Sequence, residues 1–358
     1  MRNSRHAGFW ITVLLCATLT FAGCSGGPTE GAGPGSGITP ANTNPGWFGG
    51  YLDVSLPQGP ELANGAGGRT TTVLAFITAD PAEPCTPTWG GTLGLEEAGT
   101  NLQLDAKIRN FRAEGNDVAA SFGGQRGQEL AAGCQDVGAL ADAYQAVIAR
   151  YSLDVVDLDV EGQAAGSGKA RLRAQAFAKL QADRPPGHPL RVWLTLPVTR
   201  DGLDSAGKNS VEAMLTAGVD LAGVNIMTMN FGQLRNGESI LTASELAAEA
   251  TYRDLEELYS NAGMPKEAGK MWRNIGLTPM IGENDTEANV FTLQDAAGMN
   301  SFARDRNLGR ISFWSLTRDA TCHAGVEEDQ RPSSSCSGID QDAGDFARIL
   351  SNGFTGNS

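Results

Sequence analysis

The chain has little with which to hold a zinc ion: three histidines in 358 residues, His6, His188 and His323, lie far apart, and no Cys-x-x-Cys pair occurs. Positive charge is also scarce. Lysine and arginine number 27 against 41 acidic residues, a net charge of −14. Nucleic acid and anionic lipid surfaces are repelled by that balance, whereas a neutral or cationic ligand is accommodated. A glycine-rich phosphate loop after an early strand is missing, since Gly123 and Gly124 follow the third strand-like run without the dinucleotide fingerprint. Long apolar runs are absent as well. The one candidate, 9–22, is shorter than the ~20 residues that span a bilayer. No metal and no cofactor are expected, and the protein reads as a monomer.

That apolar run begins after Arg2 and Arg5 and ends at Gly23, Cys24 and Ser25, the pattern of an export signal. Phe21, Ala22, Gly23 and Cys24 resemble a bacterial lipobox, with Phe in place of the usual Leu. In that class the cysteine is acylated and becomes the new N-terminus. On this reading 1–23 is a lipoprotein signal and Cys24 anchors the protein at the cell surface, its only contact with a membrane. An ordinary cleaved signal would instead leave it secreted. Residues 24–45 are almost entirely Gly, Pro, Ser, Thr and Asn and form a flexible linker, which places the folded domain at 46–358. With Cys16 in the signal and Cys24 acylated, Cys85, Cys134, Cys322 and Cys336 remain as an even set in an oxidising compartment. Cys322 and Cys336 close a short loop, which leaves Cys85 for Cys134, although other pairings stay open.

Beyond Trp47 the chain holds eight apolar, strand-like runs, at 51–56, 71–78, 117–121, 155–161, 190–197, 221–229, 275–280 and 310–316. Helical patterns separate most of them, at 105–113, 139–150, 170–183, 211–217, 243–262 and 293–307. This alternation predicts an α/β fold, a single (β/α)8 TIM barrel. The first connection, 57–68, is Gly- and Pro-rich and too short for a full helix. A doubly wound open sheet is the alternative, and the missing phosphate fingerprint counts against it.

The fourth run carries the most information. Residues 154–161 read DVVDLDVE, and the period of two sends Asp157, Asp159 and Glu161 to one face while Val156, Leu158 and Val160 face the other. Like charges about 6–7 Å apart raise one another's pKa values, a cost tolerated where a reaction needs a proton held near neutral pH. A cation site or a solvated acidic edge would use the same residue types. Against both, the spacers suit a buried parallel strand, and no Asn- or Gly-rich loop supplies further oxygen ligands. In a barrel Glu161 falls at the C-terminal mouth, where such folds carry their chemistry.

Asp154, Asp157, Asp159 and Glu161 together form DxxDxDxE, which resembles the signature of glycoside hydrolase family 18, the chitinases and their relatives. Further similarity lies in SFGG at 121–124, NIMTMN at 225–230 and Trp314 within FWSL, each on the matching strand. The resemblance runs from about Trp47 to the end. It implies a retaining, substrate-assisted glycosidase in which the N-acetyl oxygen of the sugar attacks C1. Glu161 would be the general acid and then the base. Asp159 would accept the acetamido N–H, and Asp157 would share a proton with it from below. Asp154 would be structural, Trp314 the floor beneath the cleaved sugar, and Tyr51 and Phe76 walls of the same pocket.

Two departures bear on the expectation. Many family members have Tyr then Asp where this chain has Met229 and Asn230, so a donor to the acetamido oxygen and a carboxylate near Glu161 are missing from these substrate-binding positions. Larger chitinases insert a small α+β domain between strands seven and eight, but here 281–309 is little more than a loop and a helix. The groove should be open, which suits internal cuts. The implied substrate is a polysaccharide or oligosaccharide of β-1,4-linked N-acetylglucosamine. An endo-β-N-acetylglucosaminidase acting on N-glycans would use the same acidic row, and a non-catalytic lectin would ordinarily have lost the acid.

Overall fold

The computed structural model describes residues 46–57, 59–62, 69–323 and 332–354. The signal, Cys24 and the linker expected over 1–45 lie outside the described residues. Eight strands run parallel: β1 (Trp47–Asp53), β2 (Thr71–Ala79), β3 (Asp117–Gly123), β4 (Val155–Asp159), β5 (Arg191–Pro197), β6 (Leu221–Met227), β7 (Ile275–Thr278) and β8 (Arg310–Phe313). Each pairs with its neighbours in sequence, and β8 returns to pair with β1 in the register Trp47↔Arg310 to Gly50↔Phe313. That closure makes a (β/α)8 barrel with no free edge between these strands.

Helices α1 (Leu95–Asn101), α2 (Leu104–Ala113), α3 (Leu130–Gly133), α4 (Val137–Tyr151), α5 (Ser167–Ala182), α6 (Ser205–Thr216), α7 (Ile240–Asn261), α8 (Leu293–Arg306) and α9 (Asp345–Leu350) fill the connections. As expected, no helix joins β1 to β2 among the described residues. Helix α4 shows why such segments form: Leu140, Tyr144, Val147, Ile148 and Tyr151 recur at helical spacing on the buried face, and the Asp136 carboxylate caps it by accepting from Ala139 N at 2.9 Å. Asp204 and Ser239 cap α6 and α7 in the same way, and Thr292 with Asp295 forms a capping box on α8.

Strand alternation sorts the side chains into two cores. Val155 joins Trp47, Tyr51, Val73, Ala75, Ala119 and Trp193 inside the barrel. Val156, Leu158 and Val160 pack in the larger layer with the helices. Asp157 and Asp159 therefore share the inward parity of Val155.

Several boundaries differ from the expected ones. β1 begins at Trp47 rather than Tyr51, because Gly49 and Gly50 weaken the strand pattern in sequence yet fit it in space, where a Cβ on Gly49 would meet the Trp47 ring at 2.5 Å. β4 stops at Asp159 and β6 at Met227, so Glu161 and Met229 stand on the loops that leave the barrel. After β2 the chain adds a short antiparallel ribbon, Pro87–Trp89 with Leu93–Gly94. Between β7 and β8 lie only the ribbon Gly282–Glu283 with Val290–Phe291 and helix α8. Two disulfides staple the loops. Cys85 bonds Cys134 at the end of α3, and Cys322 bonds Cys336 beyond β8.

Candidate active site

Strand β4 stages its carboxylates by depth. Asp157 is fully buried, Asp159 is 5% exposed, and Glu161, just past the strand end, is half-buried at the mouth. Asp157 accepts four hydrogen bonds: Oδ2 from Tyr51 Oη at 2.8 Å and Ser121 Oγ at 2.7 Å, Oδ1 from Thr195 Oγ1 at 2.6 Å and Arg310 Nη1 at 2.5 Å. Both oxygens are thus engaged by side chains from β1, β3, β5 and β8. Asp159 Oδ1 is the opposite case, buried with no hydrogen-bond partner. An unpaired buried acceptor costs about 1–3 kcal/mol, a penalty that a bound donor would remove.

Burial raises the Asp159 carboxyl well above its ordinary range. The negative charges of Glu161 and then Asp157 push it the same way, and Arg310 opposes them. Burial raises Glu161 too. A half-buried carboxylic acid at the barrel mouth, above a second carboxyl with a vacant acceptor, can deliver a proton to a bound substrate and take one back.

The predicted aromatic residues come together. Phe76 and Trp314 stack with centroids 5.4 Å apart at 17°, and Tyr51 lies 6.2 Å from each. Phe76 and Trp314 are partly exposed, whereas Tyr51 is buried beneath them. Tyr51, expected from sequence to be a pocket wall, instead has its ring packed inside the barrel and its hydroxyl spent on Asp157. Met229 is partly exposed after β6, on the same parity as inward-facing Asn225. Asn230 is exposed with φ +52°, and its side chain is occupied by the β7–β8 loop: Nδ2 donates to Asp285 at 3.2 Å and Oδ1 accepts from Thr286 N at 3.1 Å. Asp154 is exposed and pairs with Arg184 at 2.5 Å, away from the acidic face. Among the described residues no group of three His, Cys, Asp or Glu could hold a metal ion.

Sequence reasoning missed the polar layer beneath the carboxylates. Thr195 on β5, Asn225 on β6 and Thr278 on β7 are linked by Asn225 Nδ2, which donates to Thr195 at 3.0 Å and Thr278 at 2.6 Å. Arg310 is entirely buried inside the barrel. The signal for it was present: Arg310, Ser312 and Trp314 share one parity on β8, and a lone Arg amid an apolar strand needs an anionic partner. A second buried pair lies behind the Glu161 loop. Arg173 on α5 donates to Glu129 at 2.9 Å and to the Ala164 carbonyl at 2.9 Å, within the turn Gly162–Ala165, and Tyr144 donates to Glu129 at 2.5 Å.

No protein-family model matches the chain. The chain is 34% identical over 280 residues to a probable bifunctional chitinase/lysozyme of Escherichia coli K12, covering 75% of this chain and 30% of that protein. It is 32% identical over 280 residues to endochitinase 11 of Metarhizium anisopliae, covering 75% of this chain and 52% of the relative. It thus spans 30% and 52% of the lengths of these two curated relatives. Among solved structures, active domain 2 of the Pyrococcus furiosus chitinase superposes with a TM-score of 0.73 at 29% identity, over 87% of this chain and 96% of that one. The same domain has been solved with chito-oligosaccharides. A family 18 chitinase from Pseudoalteromonas aurantia, 16% identical with a TM-score of 0.52, shares the fold.

Relatives and structural neighbours alike are named as chitinases. The chitinase-like SFGG stretch has a steric reason in this barrel. Ser121 reaches Asp157, and Gly124 N donates to the Asp159 carbonyl at 3.0 Å. At Gly123, where φ is +108°, a Cβ would sit 2.0 Å from that same carbonyl oxygen, so only glycine lets β3 approach β4 beside the acidic row.

Proposed function

We propose that this chain is a glycoside hydrolase that cleaves β-1,4-linked N-acetylglucosamine polymers, chitin and its oligosaccharides, with retention and through substrate assistance. The observation that carries the reading is the depth-graded row of Asp157, Asp159 and Glu161, with one buried oxygen of Asp159 lacking a donor. The acetamido N–H of a bound sugar is the missing donor. Held by it, the acetamido oxygen attacks C1 as Glu161 passes its proton to the glycosidic oxygen and the leaving sugar departs. An oxazolinium ion remains, its positive charge beside Asp159. Glu161, now a carboxylate, takes a proton from water as that water attacks C1, which regenerates the acetamido group and the acid. Phe76 and Trp314 offer an aromatic surface to the apolar face of the sugar ring. The short β7–β8 connection leaves one side of the groove without an added domain, which favours internal cuts.

Glu161 must be protonated when substrate binds, and its raised value favours that state. Turnover should accordingly fall as pH rises through the Glu161 value, with the basic limb above the ordinary Glu value of about 4.3. The test is hydrolysis of a chromogenic chito-oligosaccharide across acidic to neutral pH by the wild type, Glu161→Gln and Asp159→Asn. Glu161→Gln should bind the sugar while losing at least about 100-fold in kcat, and Asp159→Asn should lose kcat strongly. Wild-type turnover by Glu161→Gln would refute the assignment. Binding with no turnover by the wild type would make the protein a lectin.

Export fits the same picture. The two disulfides suit an oxidising compartment, and lipid on Cys24 with a 24–45 tether would hold the domain outside the cell. Cys24→Ala should then move the protein from the membrane fraction to the medium.

A further inference from the structure

Where β1 leaves the barrel it carries a carboxylate that stands outside the acidic row. Leu52 and Val54 are buried in the layer shared with the helices, whereas Trp47 and Tyr51 face the barrel interior, so Asp53 has inward parity and lies about 6–7 Å beyond Tyr51 toward the mouth. It is partly exposed there. Its neighbours are the two partly exposed rings of the site. Asp53 pairs in register with Ala75, the residue before Phe76, and Gly50 pairs with Phe313, the residue before Trp314. Tyr51, two residues below Asp53 on the same face, lies 6.2 Å from each of those rings.

The two oxygens of Asp53 are treated differently. Oδ1 accepts from Ser55 N at 2.9 Å and from Ser55 Oγ at 2.6 Å, a turn that holds the carboxylate at the strand end. The ribbon after β2 packs on that turn: Gly90 N donates to the Phe76 carbonyl at 3.0 Å, and a Cβ on Gly90 would meet Ser55 Cβ at 2.7 Å. The turn and Phe76 are therefore tied to the same piece of chain. Among the described residues no lysine or arginine pairs with Asp53, and Oδ2 accepts from no donor. A sugar chain has the matching chemistry, with apolar C–H faces for the aromatic surface and hydroxyl donors around the edge of each ring.

We propose that Asp53 is a substrate-binding residue: its Oδ2 accepts a hydroxyl of the sugar chain where the chain crosses Phe76 and Trp314. This rests on the glycosidase reading above and adds to it a polar anchor on β1, with β2 and β3 between it and the acidic row. Asp53 moves no proton in the reaction and holds substrate and transition state alike, so its loss appears in KM more than in kcat. A purely structural Asp53 would do no more than close the turn with Ser55. Asparagine closes such a turn as well as aspartate does, through the same oxygen, and this separates the two roles.

The experiment compares the wild type, Asp53→Asn and Asp53→Ala by three measurements: kcat and KM on a chromogenic chito-oligosaccharide, a thermal melt, and calorimetric binding of a series of N-acetylglucosamine oligomers with Glu161→Gln added to each to stop turnover. Asp53→Asn keeps the turn, so its Tm should stay within about 1 °C of wild type. Its affinity should nonetheless fall roughly fivefold, because a charge-assisted bond to the sugar is lost. Asp53→Ala loses the turn and the acceptor together, so Tm should fall and affinity should drop roughly tenfold or more. In both variants KM should carry the loss, with kcat within about twofold of wild type. An Asp53→Asn protein that binds and turns over as the wild type does would overturn the proposal, since closing the turn would then be the whole role; so would a loss confined to kcat. A wild type that binds without turnover would leave calorimetry to decide the Asp53 assignment. A wild type that neither cleaves nor binds these oligomers would sink the glycosidase reading and Asp53 with it, whereas an active wild type matched by Asp53→Asn sinks the Asp53 assignment alone.

Discussion

The buried pair behind the Glu161 loop makes a demanding test of how this site is supported. Arg173 is fully buried, Glu129 is 5% exposed, and the ion pair between them is 2.9 Å long. Replacing Arg173 with Met keeps most of the side-chain volume and removes the charge. Glu129 would retain Tyr144 and Ala131 N as donors but lose its cation, a change that costs about 3–5 kcal/mol for a buried pair. Arg173 Nε and Nη1 are themselves buried without partners, and their loss relieves a penalty already present. The expectation therefore falls at the low end, about 3 kcal/mol. For a domain of this size that is a fall in Tm of roughly 5 °C. The Ala164 carbonyl loses its donor at the same time, so the turn Gly162–Ala165 loosens just past Glu161 and kcat should fall by more than KM rises. Calorimetry at neutral pH measures the first effect and steady-state kinetics the second. Glu129→Gln/Arg173→Met should regain much of the lost stability, because no lone charge is left buried. A single variant melting within about 1 °C of wild type, or a double variant no better than the single, would refute the reasoning.

Two further outcomes follow from the same framework. Gly123→Ala should destabilise the domain by more than about 2 kcal/mol in urea titration and depress kcat, because its Cβ would meet the Asp159 carbonyl 2.0 Å away at a φ of +108°; wild-type behaviour would contradict the close approach of β3 to β4. Replacing Cys85 and Cys134 by Ser frees a loop of 49 residues and should cost roughly 4 kcal/mol in a thermal melt, against about 3 kcal/mol for the 14-residue loop of Cys322 and Cys336. The reverse order of cost would contradict the loop-entropy account.

The barrel itself was legible because its signals are local. Alternation of period two marked β2 to β8 within a few residues, helical spacing marked the longer helices, and the Gly- and Pro-rich 57–68 connection pointed away from a first helix, which does not occur among the described residues. The start of β1 was lost to Gly49 and Gly50, whose value is room for neighbours rather than strand propensity. Short α1, α3 and α9 were not foreseen, since four to seven residues carry too little periodicity to separate from a turn. The acidic row on β4 could be read from spacing alone. Tyr51 could be placed near it, but its task could not: the sequence suggests a wall, and the structure puts its hydroxyl on Asp157. Asn230 was read as a substrate residue, and in the structure its side chain bonds Asp285 and Thr286 of the β7–β8 loop.

What the sequence determined by itself is therefore one-dimensional: which segments extend or coil, which face of each strand is inward, and that Asp157 and Asp159 share a face of β4 with Glu161 two residues further on. Those depend on contacts within a few residues. Only closure of the barrel decided which inward groups meet. The four donors on Asp157 come from 106, 36, 38 and 153 positions away along the chain, on β1, β3, β5 and β8, and Arg310 finds Tyr51 across 259. Depth was decided there too, and with it the solvent screening that separates buried Asp159 from half-buried Glu161. The physical reason is that burial and long-range pairing belong to the assembled sheet, whose register sets distances that no local pattern encodes.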